Sequence, residues 1–321
     1  MFKKFRKRKE KNNENTSAID IESNESNFTC EHLSFAELPR RRQLIKPKGS
    51  QKVMYGMLWS SAGFIIAILL IVILLIVIKG IQGFSFKMIY QAPSEYEWSV
   101  RPAIFGTILL IIGAVVIALP LSLSAAIYLT EYAKKGRLIN FINQGINNLA
   151  GVPSIVFGIF GYAFFSIALG MGRSMYAGWL TLACMILPTI IRTSEEALKS
   201  VPNSYREGSL ALGATKWRTI RYIVLPAATP GITTGVILAL GRAAGETAAI
   251  LFVGGSIVPG FLGFESPFGA LPIYLYLMAI SAPASTRNIQ WAIALILILV
   301  VFSFNAGAII IRNRTEKRSG L

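Results

Sequence analysis

Histidine and cysteine are nearly missing from this 321-residue chain: His32 is the one imidazole, and Cys30 and Cys184 are the only thiols. One thiol lies in a polar N-terminal stretch and the other in an apolar run, which gives neither a disulfide framework nor metal-ligand spacing. No G-x-x-x-x-G-K-[ST] loop is present to cradle nucleotide phosphates, and H-E-x-x-H and G-x-S-x-G are absent as well. Hydrolase, metalloenzyme and nucleotidase chemistry therefore has no residues to work through. The chain is expected to be a non-catalytic protein that binds no cofactor or metal of its own. Charge is scarce too, at 15% of residues, and it is lopsided, with 16 acidic against 32 Lys and Arg.

What is abundant is apolar surface. A 53% apolar content and a mean hydropathy of +0.55 exceed what a soluble domain carries and point to a membrane protein. Six apolar runs approach the roughly 20 residues a helix needs to cross a bilayer. They are Met57 to Ile78, Ala103 to Leu129, Leu149 to Leu169, Met175 to Ile191, Ala228 to Phe252 and Trp291 to Ile311. None alternates apolar and polar residues with period two, so a β-barrel is excluded and the fold class is an all-α integral membrane protein with six transmembrane helices. A further apolar stretch, Gly269 to Ile280, is too short to span and reads as an interfacial or re-entrant piece at the outer mouth.

The net charge of +16 follows these runs rather than any groove-binding pattern, so nucleic acid is not an expected partner. Thirteen Lys and Arg lie between Lys3 and Lys52, three in Lys134 to Arg137, six from Arg192 to Arg221 and four from Arg312 to Arg318. All fall on one side of a six-span layout. The other side holds Lys79, Lys87, Arg101, Arg173 and Arg287 alone. The positive-inside bias then places both termini in the cytoplasm. Three segments follow: a basic tail over residues 1–52, a six-helix membrane domain over 53–312 with a cytoplasmic loop at about 192–227, and a short tail over 313–321. The N-terminal tail is too polar to bury an ordered core, so it is expected to be disordered; its basic cluster serves orientation or the anionic inner leaflet.

Glycine and proline recur inside the spans, which suggests kinks and close helix crossings. The fifth span carries Gly231 with Gly235 and Gly241 with Gly245, two small-xxx-small pairs that suit a neighbouring helix of this chain or of another subunit. It also holds the only ionisable pair deep in an apolar run, Arg242 and Glu246, four apart and hence one turn apart on one face of a continuous helix. Two readings stand: an intrahelical salt bridge, or a translocation pathway where the guanidinium meets an anion. Glu131 and Arg192, at the inner ends of the second and fourth spans, read as charges that snorkel to the interface.

Between the fourth and fifth spans the loop offers a helix start at Pro202-Asn203-Ser204, a glycine stop at Gly213, a second start at Thr215 and an entry to the next span at Pro226. A short helical hairpin results, suited to seating in a partner. Its spacing runs Glu207-Gly208-Ser209, three residues, Gly213, nine residues, then Ile223-Val224-Leu225-Pro226. This resembles the EAA signature of ABC importer permeases, with Gly208 and Ser209 standing where two alanines are usual. Three further stretches, Ile191 to Glu196, Ala211 to Trp217 and Gly241 to Ala248, are similar to the phosphate-specific, PstA-type branch of that family.

The resemblance implies a MetI-like type I importer permease of the bacterial plasma membrane. It implies pairing with a homologous PstC-like permease subunit and docking on a dimer of PstB-like ATPases that use ATP and Mg. It also implies delivery of inorganic phosphate by an extracytoplasmic PstS-like binding protein. On it, Glu207, Gly208, Ser209, Leu212, Gly213, Lys216 and Trp217 would couple to the ATPase, while Arg242, Glu246 and Arg192 would line the substrate pathway. An importer of another oxyanion or organic solute, a passive channel or secondary transporter, and a plain membrane anchor are the alternatives.

Overall fold

A computed structural model describes residues 49–91, 99–134, 136–254, 263–281, 283 and 286–318, and every regular element among the described residues is helical. The chain divides into two units, Met1–Ser60 and Ser61–Leu321, with the boundary inside the first helix. Most of the basic N-terminal tail, with Cys30 and His32, lies outside the described residues. Helix α1 (Gly49–Gly83) begins within the stretch assigned to that tail. Next come the short α2 (Lys87–Tyr90), then α3 (Arg101–Ile127), prolonged by a π-helical turn at Tyr128–Tyr132. Helix α4 is Arg137–Ala150; α5 is Ser154–Gly161 and continues as a π-helix to Ala168. Helix α6 is Met175–Ser200, α7 Asn203–Ala211 and α8 Lys216–Thr219, the last joined by a π segment, Ile220–Val224, to α9 (Leu225–Ala244). Helices α10 (Ala248–Gly254), α11 (Leu271–Ser281) and α12 (Arg287–Arg318) complete the order.

Helix α6, the shortest of the expected spans by apolar length, is the central post. Its N-terminus is capped by the Ser174 hydroxyl, which accepts from the Ala177 N–H at 3.3 Å. Helices α3, α5, α9 and α10 pack around it, and the main core joins Leu182, Met185, Ile186 and Ile190 to Leu110, Ala114, Phe157, Ala239 and Ile250. Lipid tails are as apolar as leucine, so this core gains little from hydrophobic transfer and depends on close fit. Glycines supply that fit. A Cβ at Gly113 would stand 2.1 Å from the Trp179 ring, whose Nε1 donates to the Leu109 carbonyl at 2.9 Å. Cβ atoms at Gly235 and Gly231 would stand 1.9 Å from Thr193 Oγ1 and 2.6 Å from Ala197 Cβ. The first small-residue pair of the fifth span is therefore an intrachain contact with α6.

Two spans differ from expectation. The third, expected from Leu149, starts at Ser154: Leu149 belongs to α4, which meets α5–Ala168 at a bend of 100°. Pro153 causes the break, because it lacks an N–H and forces the residue before it out of the helical region. The fifth, expected as one helix from Ala228 to Phe252, stops at Ala244 and resumes at Ala248. Gly245, at φ −97 and ψ 1, has left the helix, and no side chain comes within 4 Å of where its Cβ would be. Among the described residues, five helices are thus long and apolar enough to span, or six if the bent pair counts as one.

The short apolar stretch after Gly269 forms α11, pinned by the Leu271 N–H donating to Thr107 Oγ1 at 2.8 Å. Here Gly106 admits the Gly269 carbonyl to 2.0 Å of where a Cβ would sit, and the obstruction is backbone that cannot rotate aside. Gly106→Ala should destabilise the fold by about 1–3 kcal/mol and lower the melting temperature in detergent. Gly145→Ala on α4, where a Cβ meets nothing within 4 Å, is the matched control and should not.

Candidate functional site

The loop between α6 and α9 folds as expected. Helix α7 closes on Gly213 at φ +80, with the Gly213 N–H donating to Leu210 O at 2.9 Å and the Ala214 N–H to Ser209 O at 3.2 Å. This is a Schellman ending, which needs a left-handed residue and so favours glycine. Thr215 then caps α8, its Oγ1 accepting from the Arg218 N–H at 3.4 Å. The outward side of this hairpin is apolar: Tyr205, Leu210 and Trp217 are about half exposed, and Leu212 is 90% exposed. Glu207 and Gly208 are exposed beside them.

Ser209 and Lys216 face the other way. Ser209 is buried and shares a 2.8 Å hydrogen bond with Thr219 Oγ1, so it holds the two hairpin helices together. The Lys216 ammonium donates to the Glu131 carbonyl oxygen and sits 4.9 Å over the Tyr132 ring.

Glu131 is not a snorkelling charge. Its Oε1 accepts from Arg206 Nε at 3.1 Å and Nη2 at 2.8 Å, and the two side chains are only 8% and 18% exposed. Arg206 also donates to Val201 O at 2.7 Å, Leu198 O at 2.8 Å and Asn203 Oδ1 at 3.3 Å. One guanidinium thus joins the hairpin to the end of α3 and to the last carbonyls of α6. Sequence reading missed this pair, although a signal exists: Glu131 is the only acidic residue between Glu97 and Glu195, set just before Lys134 and Arg137.

Arg192 is equally engaged. It donates to Asn143 Oδ1 at 3.0 Å, to the Asn143 carbonyl and to Glu195 Oε2 at 3.0 Å, and Lys199 reaches the same carboxylate oxygen at 2.9 Å. The structure thereby places Arg192 as a tie between α4 and α6, apart from Arg242.

Arg242 and Glu246 are separated by the break after Ala244, so they do not share a face of one helix. Glu246 Oε1 accepts from the Ala249 N–H at 3.3 Å, at the start of α10. Arg242 has no hydrogen bond or ion pair among the described residues, and it is exposed on the chain's surface while Ala243 and Ala244 are buried. Its depth follows from packing. Gly235 touches Thr193, eighteen residues into α6 and hence about 27 Å from that helix's start; Arg242 lies seven residues, about 10 Å, back along the antiparallel α9. Counted from the start of α6, Arg242 thus lies about 17 Å along, which is near the middle of a roughly 30 Å apolar layer that begins at that helix's start. Asn305 of α12 stands at the same level, its Oδ1 3.1 Å from where a Gly241 Cβ would be.

A bundle of long apolar helices with a partly apolar loop hairpin is the build of an integral membrane protein. The family described as binding-protein-dependent transport system inner membrane component matches residues 118–318, and the chain belongs to it. The chain is 37% identical over 257 residues to the phosphate transport system permease protein PstA of Yersinia pestis, covering 79% of this chain and 83% of that protein. It is 37% identical to PstA 1 of Mycobacterium tuberculosis strain H37Rv, covering 71% and 74%, and 36% identical to the probable ABC transporter permease protein YqgI of Bacillus subtilis, covering 66% and 73%. Among solved structures, a bacterial alginate ABC transporter in complex with its periplasmic protein shares the fold at TM-score 0.62 and 14% identity, covering 80% of this chain and 92% of that one. An inward-facing MetNI methionine ABC transporter does so at TM-score 0.53 and 18% identity, covering 72% and 99%.

The glycines of the hairpin should separate cleanly. Gly213→Ala forces a left-handed alanine at about 1 kcal/mol and should speed hydrogen exchange across α7 roughly five-fold. Gly208→Ala, helical and facing open space, should slow it.

Proposed function

We propose that this chain is one membrane half of an ATP-driven importer of inorganic phosphate, oriented with both termini and the α7–α8 hairpin in the cytoplasm of a bacterial cell. The relatives named for phosphate transport support the substrate, and the one-sided Lys and Arg distribution supports the orientation. The observation that carries the reading is Arg242. A guanidinium near mid-depth costs a few kcal/mol against lipid, and one exposed on its own chain with no partner among the described residues calls for water or a second subunit. A PstC-like half laid against this surface would enclose Arg242 in a cavity between the two.

There the guanidinium offers a planar fork of donors to a phosphate carrying one to two negative charges. Glu246, held at the start of α10, keeps the local field from becoming a trap, so that the anion can leave as well as enter. Arg192, tied between α4 and α6, serves the pathway by holding the frame rather than by touching the anion. Affinity and selectivity in the free solute rest with a PstS-like binding protein outside.

Energy comes from a PstB-like ATPase dimer that binds ATP and Mg; this chain binds no cofactor. The exposed Tyr205, Leu212 and Trp217 would seat in a cleft of that ATPase, with Glu207 and Gly208 beside them. Nucleotide-driven closure would then swing the hairpin and, through the unbroken run from Lys216 to Ala244, the segment that carries Arg242.

In vesicles holding the complete complex, labelled phosphate should enter only with ATP, and excess sulfate should not compete. Arg242→Gln should cut uptake at least tenfold with ATPase copurification unchanged. Leu212→Glu should instead weaken copurification. Normal uptake by the Arg242→Gln complex, or uptake without the ATPase, would refute the assignment.

A further inference from the structure

We infer that the Glu131–Arg206 pair is a transmission pin, which makes the second span, α3, a direct recipient of the movement that the hairpin delivers. This rests on the coupling role given to the hairpin above, but it adds a residue on another helix and a route that chain connectivity does not supply. Covalently the hairpin leads to α6 on one side and to α9 on the other. Helix α3 is more than seventy residues away from Arg206 in sequence; it packs on α6, but chain connectivity gives its inner end no direct hold on the hairpin.

The contacts are arranged to prevent that. Arg206 on α7 places two N–H groups on one carboxylate oxygen of Glu131, while its remaining donors hold the carbonyls at the end of α6. Lys216 on α8 grips the same residue through its backbone carbonyl and stacks on the neighbouring Tyr132. Both helices of the hairpin therefore hold the end of α3, and at two different atoms of Glu131. Because the carboxylate is almost fully desolvated, water is not on hand to take over its hydrogen bonds to Arg206, and a pair in such a place resists separation more than an exposed one.

The backbone on each side of the pin is π-helical, at Tyr128–Tyr132 in α3 and at Ile220–Val224 between α8 and α9. Such turns, bonded i to i+5 in place of i to i+4, recur at functional sites. The hairpin is thus clamped as a block at the inner ends of the two spans it drives. Glu131 is a positioning residue in this scheme and never meets the transported anion.

The test uses the assembled four-part complex in vesicles and reads phosphate imported per ATP hydrolysed, alongside ATPase copurification. Glu131→Ala should leave the ATPase bound and hydrolysing while the ratio falls at least tenfold. Glu131→Gln, which keeps an acceptor without the charge, should fall less. Arg206→Lys, which keeps the charge and loses the fork, should lie between wild type and Glu131→Ala. An unchanged ratio in Glu131→Ala overturns the inference and leaves the hairpin's role intact. Loss of ATPase copurification in both Glu131 variants overturns it too, by assigning the pair to docking, as would failure of both to assemble in the membrane, by assigning it to folding. Failure of wild type to transport with ATP would count against the broader reading instead.

Discussion

Close approach of helices to α6 is the constraint from which the rest of the bundle follows. In lipid the exchange of a leucine contact for another leucine contact gains almost nothing, so stability has to come from interlocking surfaces and from polar groups that find one another. The chain meets this with glycine where helices cross: Gly113 under Trp179, Gly161 against Thr181, Gly231 and Gly235 against Ala197 and Thr193. Hydrogen bonds from side chains to carbonyls of other helices, such as Ser122 Oγ to Leu187 O at 3.3 Å, add to the same end. A helix set this tightly into its neighbours can only move with them, which is why movement applied at one end of the bundle can reach its middle.

Where the chain is interrupted, the interruption has an assignable cause and a functional position. Pro153 turns the third span by 100° and lays α4 along the end of α6, where Arg192 fastens it through Asn143. Gly245 ends α9 just past Arg242, and Glu246 starts the next helix. Irregular backbone at membrane depth is tolerated only where protein or water covers it, so the break and the exposed guanidinium beside it call for the same surroundings.

The spans, the helical class and the hairpin were legible in the sequence because each rests on local signals: long apolar runs, a glycine at the one left-handed position, a threonine cap. The fifth span reads as continuous in the sequence because apolar residues extend well to both sides of Gly245, and glycine alone does not stop a membrane helix. The role of the first glycine pair needed the structure, since Gly231 and Gly235 would look the same against this chain or another. Glu131 escaped for a deeper reason: its partner, Arg206, is seventy-five positions away, and no periodicity links them. Arg192 and Arg242 both read as arginines near apolar runs. Only packing separates the one fastened to Asn143 and Glu195 from the one left facing outward.

The almost bare side chain of Leu212 also bears on the life of the protein before assembly. An exposed leucine and an exposed indole on one loop are apolar surface of the kind on which chaperones and quality-control proteases act. On the docking proposed above, a copy that has not found its partners would keep that label in view, and a copy seated in a complex would hide it. Selective removal of the surplus would then correct subunit ratios after synthesis.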